Sequence, residues 1–468
     1  MSMTKEMTSG KPYKLILSFA VPMIIGNIFQ QLYNMVDTVI VGKYVGVNAL
    51  AGVGSTGAIS FLVVGFALGV CSGFSIMPAQ RFGAGDHSGM RKYISNSIYL
   101  CIAVAVILTT ATMLLTGPIL TLMNTPSEIY DYAFDYIIII FAGIPATIFY
   151  NILSSILRAL GDSKTPLIFL GVSSVLNVGL DLLLIIVFNM GVAGAGIATV
   201  VSQGISAFLC LIYMRRNYDI LRFEKGELKF EMQKALDLIG VGIPMALQFS
   251  ITAIGSIVLQ SAVNSLGTAS VAAVTAASKI QTVAISPMES LGITMATYCG
   301  QNRGARKYTR IRVGIRQSLL MSMIYCVISA LTVSFLGGAM TVLFVSSDQT
   351  SKEALGEIIR LSVLYLRLNG IFYPALGVLF ILRNALQGMG YSFLPMMAGV
   401  SELAARTLVV FAFVSSFGYM AACMASPVAW IFADTLLIIT YAAKMRSLKK
   451  EIIYSRGVNT LRPGNECC

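Results

Sequence analysis

The sequence predicts an all-α fold: a polytopic membrane protein of twelve transmembrane helices, arranged as two six-helix bundles that share one orientation. Composition, apolar runs and an internal repeat predict it. Of the 468 residues, 56% are hydrophobic and 12% are charged, whereas soluble globular proteins carry roughly 25% charged residues. A chain this apolar needs lipid around much of its surface, which excludes an ordinary soluble domain.

The apolar runs give the number of helices. A helix needs about 20 apolar residues to cross the hydrocarbon core of a bilayer. Twelve runs of about that size follow one another along the chain, at 15–41, 47–77, 94–116, 131–156, 166–188, 191–214, 237–263, 268–299, 315–344, 356–382, 393–415 and 418–443.

The basic residues predict the topology. If the N-terminus lies inside, the inner segments hold 27 of the 33 lysines and arginines, and the outer loops hold only Lys43, Lys352 and Arg360. Lysine and arginine concentrate on the cytoplasmic side of membrane proteins. We therefore expect both termini in the cytoplasm and the chain in the plasma (inner) membrane. We interpret the net charge of +12 as topology and not as a sign of nucleic-acid binding.

The two halves of the chain repeat one another. The segment Gln80-Arg-Phe-Gly83-Ala84 recurs as Gln301-Asn-Arg-Gly304-Ala305, at an offset of 221 residues. Further matches follow in the same order with a slowly drifting offset: Pro22 with Pro244, Gly46 with Gly267, Pro145 with Pro374, Gly161 with Gly390, Pro166 with Pro395 and Gly191 with Gly418. Six helices is an even number, so the two repeats face the same way across the membrane.

This repeat divides the chain into four parts. We expect an N-terminal bundle at 1–214, a charged cytoplasmic linker at 215–236, a C-terminal bundle at 237–445 and a cytoplasmic tail at 446–468.

Charged residues at membrane depth are costly and mark functional sites. Among the charged residues inside predicted spans we single out five acids and three bases: Asp37, Asp181, Glu289, Glu402 and Asp434, with Lys279, Arg367 and Arg406.

The acids of the first half are surrounded by polar side chains. On the first helix Gln30, Asn34 and Asp37 share one face, since they are spaced i, i+4, i+7. Asn177 and Asp181 on the fifth helix, and Thr199 and Gln203 on the sixth, are spaced i, i+4. A buried carboxyl group can hold a proton, because burial disfavours its ionised form, and carboxylates can also coordinate Na⁺. A third possibility is that these groups only join helices by hydrogen bonds.

The second half lacks this pair. Asp37 aligns with Val258 or Leu259 and Asp181 with about Val410. We therefore expect ion binding, of H⁺ or of Na⁺, at Asp37 and Asp181 in the first half only.

The remaining charges allow simpler interpretations. Glu402 and Arg406 are spaced i, i+4 and are expected to neutralise each other. Glu289 either faces a central cavity, where it would attract cationic solutes, or pairs with Lys279. Pro22 lies inside the first helix, where a proline removes a backbone hydrogen bond and permits a bend.

Several of these motifs together resemble a known family. The turn Gln-x-x-Gly-Ala after the second and eighth helices, Leu157-Arg-Ala-Leu-Gly-Asp-Ser-Lys-Thr-Pro166, Asn177-x-x-x-Asp181 and Gly191-Val-Ala-Gly-Ala-Gly-Ile-Ala-Thr199 are similar to the multidrug and toxic compound extrusion (MATE) family. The resemblance covers essentially the whole chain. It is strongest to the DinF-like or MepA-like bacterial members.

The resemblance implies a V-shaped pair of bundles that exports organic, often cationic, compounds in exchange for H⁺ or Na⁺. The ion-binding network of the DinF-like branch matches Gln30, Asp37, Asn177, Asp181 and Thr199, and Pro22 falls at the bend of the first helix. A NorM-like branch adds an acid in the seventh helix, where this chain has the neutral stretch Ser256-Ile-Val-Leu-Gln260.

These observations predict a secondary active multidrug efflux transporter and not an enzyme. The sequence has no nucleotide-binding loop of the type Gly-x-x-x-x-Gly-Lys-Ser/Thr, so we expect no cofactor beyond the coupling ion. Expected partners are small organic cations or other amphipathic drugs and membrane lipid, with the chain acting as a monomer. We expect Tyr33, Gln203 and Glu289 to line the solute cavity. The alternatives are a flippase for lipid-linked precursors, of related fold, and a channel or receptor.

Overall fold

The computed structural model describes residues 5–123, 125–344 and 352–460, and these residues form helices and no strand. The first half comprises α1 Pro12–Tyr44, α2 Val47–Ser55, α3 Gly57–Phe74, α4 Ile76–Gly83, α5 His87–Leu122, α6 Ser127–Ala142, α7 Ile144–Ala159, α8 Lys164–Asp181 and α9 Gly191–Asn217. The second half comprises α10 Met232–Asn264, α11 Thr268–Gly304, α12 Tyr308–Val342, α13 Lys352–Ile371, α14 Tyr373–Gly388 and α15 Phe393–Thr460.

These helices supply the expected crossings of the membrane. Within the described residues, eight helical segments are long and apolar enough to span a bilayer, and two bent helix pairs raise the number to ten. The 37-residue α11 is long enough for another crossing, although it is less apolar. The last segment, Phe393–Leu448, has 56 residues and contains a non-helical Gly418, so it makes two crossings. The total of twelve agrees with the prediction.

Several predicted spans are broken helices. The fourth span is the pair α6 and α7, bent by 47° at Gly143, and the tenth is the pair α13 and α14, bent by 52° at Phe372. Pro145 and Pro374, which the repeat matches to each other, lie in the first turn after each break. Proline is tolerated there because the first turn of a helix leaves its N–H groups without intrahelical partners.

The repeat is also visible in the backbone. Gly161 and its counterpart Gly390 both have φ of 82°, and Gly191 and Gly418 have φ of 57° and 55°. Glycine is favoured at positive φ because it lacks a Cβ atom. The duplicated glycines therefore preserve turns, and the turn at Gly418 separates the two crossings of α15.

The predicted linker and tail both include helical residues. Within the linker predicted at 215–236, α9 runs to Asn217 and α10 begins at Met232. The tail predicted at 446–468 begins as a continuation of α15, and residues 461–468 lie outside the described residues. Arg383, one of the 27 basic residues assigned to the inner segments, is 5% exposed inside the second half.

The two halves meet at one end of the molecule, which we call the basic end and define by residues 5–11 and the turns 84–86, 160–163, 305–307 and 389–392. Gln80 donates to the backbone carbonyl of Gly388, and Gln301 donates to that of Ala159. A Cβ atom on Gly83 would collide with the backbone of Gln301, and one on Gly304 with the backbone of Gln80. The repeated Gln-x-x-Gly-Ala motif thus forms part of the contact surface between the halves.

The N-terminal segment, residues 5–10, seals this contact. The N–H of Lys5 donates to the carbonyl of Leu160 in the first half. The N–H of Met7 donates to Gln301 at 2.8 Å, and the side chain of Arg310 donates to the carbonyls of Met7 and Gly10. Met7 itself is fully buried.

Toward the opposite end the facing helices expose polar groups. On α1 these are Gln30 and Asn34, and on α10 they are Ser256 and Gln260. The hydrogen bond from Asn27 to Ser290, at 3.1 Å, joins α1 to α11 between these residues and the basic end. This arrangement fits a cleft that is closed at the basic end and open at the other.

Candidate functional site

The predicted acid pair is brought together in the first half. Asp37 comes from α1, and Asp181 is the last residue of α8 before the π-helical turn Leu182–Val187. Their side chains lie close enough to act on each other electrostatically. Two carboxyl groups this close do not readily both stay ionised, because like charges repel.

The amide and hydroxyl neighbours complete this pair. Asn177, one turn before Asp181, is oriented so that its side-chain nitrogen donates to Asp181 Oδ2 at 3.2 Å. Its side-chain oxygen then accepts from the backbone N–H and the hydroxyl of Thr199, both at 3.3 Å. Asn177 and Asp181 are 1% and 0% exposed. The side chains of α1, α8 and α9 thus form one polar cluster.

Two acceptors in this cluster have no partner. Asp37 Oδ1 and Asp181 Oδ1 are both buried and make no hydrogen bond with the described residues. Buried polar atoms are almost always satisfied, so two unsatisfied oxygens in one cluster are unusual. The unsatisfied oxygens fit a site that takes up a cation or a proton.

Two tyrosines border the pair. Asp37, Asp181 and Thr199 all act electrostatically on the Tyr33 hydroxyl. Tyr136 of α6 is subject to the same two acids and to Tyr33. Sequence analysis included Tyr33 but missed Tyr136, because a single tyrosine in an aromatic-rich helix carries no distinguishing pattern.

A polar cavity of about 170 Å³ lies beside the pair, inside the first half. Gln30, Tyr33 and Gln203 are among the residues that line it. The hydroxyl of Thr147 donates to Gln203 at 2.8 Å, which holds this side chain toward α7. Arg158, which sequence analysis counted only as a loop charge, also lines the cavity and donates to Ser155 at 2.7 Å.

The remaining predicted site residues lie apart from this cluster. Asn34 is exposed on α1, and its backbone carbonyl accepts from Thr38 at 2.7 Å. Pro22 is buried and lines the same cavity as Gln30. The helix α1 runs through it without a break, from Pro12 to Tyr44.

Glu289 belongs to a different place in the molecule. It lies on α11 next to Ser290, which accepts the hydrogen bond from Asn27 of α1 where the halves meet. The expected alternative, a pair with Lys279, is absent, and no ion pair or hydrogen bond of Glu289 is found within the described part of the chain. Glu289 is not among the residues that line the polar cavity, whereas Tyr33 and Gln203 are, although we predicted one cavity for all three.

Comparison with known proteins identifies the family of this chain. The MatE family model matches residues 22–183 and again residues 244–411, one match in each half. A probable multidrug resistance protein of Bacillus subtilis, YpnP, is 30% identical over 82% of this chain and 84% of its own length. A probable multidrug resistance protein of Thermotoga maritima, NorM, is 26% identical over 92% of both. The multidrug export protein MepA of Staphylococcus aureus is 24% identical over 83% of this chain and 85% of its own.

The fold agrees with these relatives. A solved structure described as the outward-facing conformation of a multidrug resistance MATE family transporter superposes with a TM-score of 0.86 and 21% identity, over 95% of this chain and 98% of the other. The sequence relationship extends through both halves, and the fold does so as well. The chain therefore belongs to the MatE family of multidrug efflux transporters, which are multi-pass membrane proteins and not enzymes.

Proposed function

We propose that this chain exports small organic compounds, many of them cationic, by antiport with H⁺ or Na⁺. The contact between Asp37 and Asp181, with two buried oxygens left without partners, carries the proposal. The acid pair has two states, one with a bound proton or cation and one without. Binding of the coupling ion would remove the repulsion between the carboxylates.

Either ion suits the chemistry of the cluster. A proton needs only one of the two carboxyl groups. Sodium needs several oxygen ligands, and Asn177, Thr199 and Tyr33 offer them beside the acid pair. The cluster lies next to the polar cavity that Gln30 lines, which gives water and ions a place beside the pair.

The solute site proposed here is the cleft between the halves. Glu289 is a carboxylate without a partner in the described residues, near the closed end of this cleft. A carboxylate in a partly dehydrated cleft attracts an organic cation strongly, because its charge is poorly screened there. The bases predicted at membrane depth do not oppose it, since Lys279 and Arg367 are exposed and Arg406 is bound to Glu402.

Transport then requires alternating access. The contacts at Gln80 and Gln301 hold the basic end closed, and an inward-facing state has to break them. Ion and solute are coupled if each one changes the equilibrium between these two states. Pro22, beside the cavity on α1, is the proposed bend point through which the acid pair acts on the cleft.

We assign the basic end to the cytoplasm, with both termini inside, because most lysines and arginines lie in inner segments. The proposed location is the plasma membrane, where lipid surrounds the chain. Each half completes its own contacts with the other half of the same chain, so a monomer contains all proposed sites.

Export of a fluorescent lipophilic cation from loaded, efflux-deficient cells tests this proposal. Wild type is compared with Asp37→Asn and with Asp131→Asn, whose side chain is exposed on α6. We expect wild type and Asp131→Asn to export the dye and Asp37→Asn to lose export at equal expression. Collapse of the proton gradient, and then of the sodium gradient, identifies the coupling ion.

Two outcomes would contradict the proposal. Normal export by Asp37→Asn would make that acid structural. Failure of wild type with several cations, together with movement of a labelled lipid-linked precursor in proteoliposomes, would instead support a flippase.

A further inference from the structure

The second half contains a buried cluster of four charged residues that the proposed function does not use. Arg383 of α14 donates to Glu402 at 2.9 Å, and Arg406 donates to the other oxygen of Glu402, also at 2.9 Å. Glu402 and Arg406 lie in the first part of α15, before Gly418. Asp434, in the second part of α15, acts electrostatically on Arg383 and Glu402. Each of the four is between 5% and 7% exposed.

The ion pairs of this cluster are incomplete. Arg383, Glu402 and Arg406 together carry one net positive charge, and Asp434 is the acid that can balance it. Yet none of the ion pairs among the described residues includes Asp434. Arg383 Nε, Arg406 Nε and Asp434 Oδ1 are all buried without a hydrogen-bond partner. One cluster thus contains two unsatisfied donors and an unsatisfied acceptor.

The surroundings of Asp434 offer it a single cation. The charged groups that act on it are Arg383 from α14 and Glu402 from the first part of α15. On α14, Gln387 lies one turn after Arg383. Its side chain donates a hydrogen bond to Gln248 of α10 at 2.6 Å. Among the described residues, the cation that acts on Asp434 is thus Arg383, and Arg383 is bound to a competing carboxylate.

We propose that Asp434 is a second proton-binding site, in which Arg383 pairs with Glu402 while Asp434 is protonated and with Asp434 after the proton has left. Glu402 keeps Arg406 in both states, so no carboxylate is left without a cation. Loss of one proton from Asp434 moves one guanidinium between the two parts of α15. The cluster does not depend on which ion binds at Asp37.

The chain has an intrinsic fluorophore that reports this change of partner of Arg383. Trp430 is its only tryptophan, and it is 6% exposed. It lies four residues before Asp434 on the same helix, so the two side chains share a face. Tryptophan emission therefore reports the charge and packing around Asp434, with no label.

The experiment is a pH titration of tryptophan emission in purified protein in lipid nanodiscs, excited so that tyrosine does not contribute. We expect one transition between two emission levels in wild type. Asp434→Asn, which keeps the volume of the side chain, should stay at the low-pH level across the range. Glu402→Gln, which removes the competing carboxylate, should stay at the high-pH level. Asp37→Asn is the control and should keep the wild-type transition.

Three results would overturn the proposal. The wild-type emission could be independent of pH, which decides the question with no variant at all. The transition could persist in Asp434→Asn, or it could disappear in Asp37→Asn and so belong to the first-half pair. Because emission is measured without transport, a failure here is distinct from a failure of the proposed export.

Discussion

Gln80 of α4 donates a hydrogen bond to the backbone carbonyl of Gly388 at 2.9 Å. The duplicated residue, Gln301, makes the equivalent bond to Ala159, also at 2.9 Å. The offset of 221 residues between the glutamines and of 229 between their acceptors is that of the repeat. Each half thus presents the same side chain to the same carbonyl of the other half.

Removal of either glutamine should favour opening of the basic end. One hydrogen bond contributes about 1 kcal/mol, so Gln80→Ala should change the ratio of closed to open molecules about fivefold. Gln301→Ala also removes the bond from Met7, so its effect should be larger. A cysteine at Ala296 reports the opening, since this residue packs against Ile76 of the other half. Labelling of Ala296→Cys by a water-soluble maleimide should be faster in both variants. Gln233→Ala, on the exposed start of α10, is the matched control, and equal labelling rates in all would contradict the prediction.

The close packing of α3 on α10 should not tolerate a larger side chain at the glycines where the two helices touch. A Cβ atom on Gly73 would meet the backbone of Gly242, whereas one on Gly240 would meet nothing within 4 Å. We expect Gly73→Ala to destabilise the protein by about 1–3 kcal/mol through overpacking. Gly240→Ala should leave its stability unchanged or slightly raised. Thermal unfolding in detergent measures both, and equal midpoints would show that the two helices can separate freely.

The negative charge of Glu289 should affect the binding of cationic solutes but not that of neutral ones. If an organic cation bonds to this carboxylate, Glu289→Gln removes about 1.5 kcal/mol or more, which is roughly a tenfold loss of affinity. Binding of a neutral dye should not change, and neither should the response to the coupling gradient. Equilibrium binding of matched cationic and neutral dyes checks this, with the exposed Glu128→Gln as the control. An equal loss for both dyes would mean that Glu289 shapes the cleft and does not bind charge.

The ion pair between Arg91 and Glu227, in the segment between the halves, should be lost only in strong acid. The guanidinium of Arg91 lowers the pKa of Glu227 from 4.5 to about 2. Since the pKa is lower in the folded protein, this pair stabilises it fully above about pH 4.5, and the stabilisation is lost as the pH falls toward 2. The difference in thermal midpoint between wild type and Glu227→Gln should therefore be constant from pH 7 to about 5 and shrink below.

Glu224→Gln is the matched control for this pair. Glu224 also bonds to Arg91, at 2.8 Å, but its side chain is 74% exposed, so water screens the interaction. Its effect on the midpoint should be smaller at every pH. If the difference in thermal midpoint between wild type and Glu227→Gln grew on acidification, the pKa of Glu227 could not be lowered in the folded protein, and the prediction would be wrong.

The sequence predicted the fold well because its signals are local or repeated. Apolar runs mark the twelve crossings, and matched residues such as Pro145 and Pro374 mark the repeat, but neither signal predicted the bends at Gly143 and Phe372. Helix periodicity also predicted which face of α8 carries Asn177 and Asp181. These patterns arise from the geometry of one helix at a time.

Contacts between helices were harder to predict. Spacing within one helix suggested the pair Glu402 and Arg406, and the structure contains it. The same reasoning has no means of adding Arg383, which reaches Glu402 from another helix, and it suggested a pair of Glu289 with Lys279 that does not form. Tyr136 was missed for the same reason. Which side chains meet across helices depends on rotation and tilt, which a single sequence does not display.

The N-terminal segment has a consequence for biogenesis. Met7 is synthesised well before its partner Gln301, which follows 294 residues later. The chain must therefore keep this segment unpaired while most of both halves enter the bilayer, and contacts so distant in sequence form late. Closure of the basic end is then the final step of assembly, so a protein truncated within α11 would insert its first half without ever acquiring this seal.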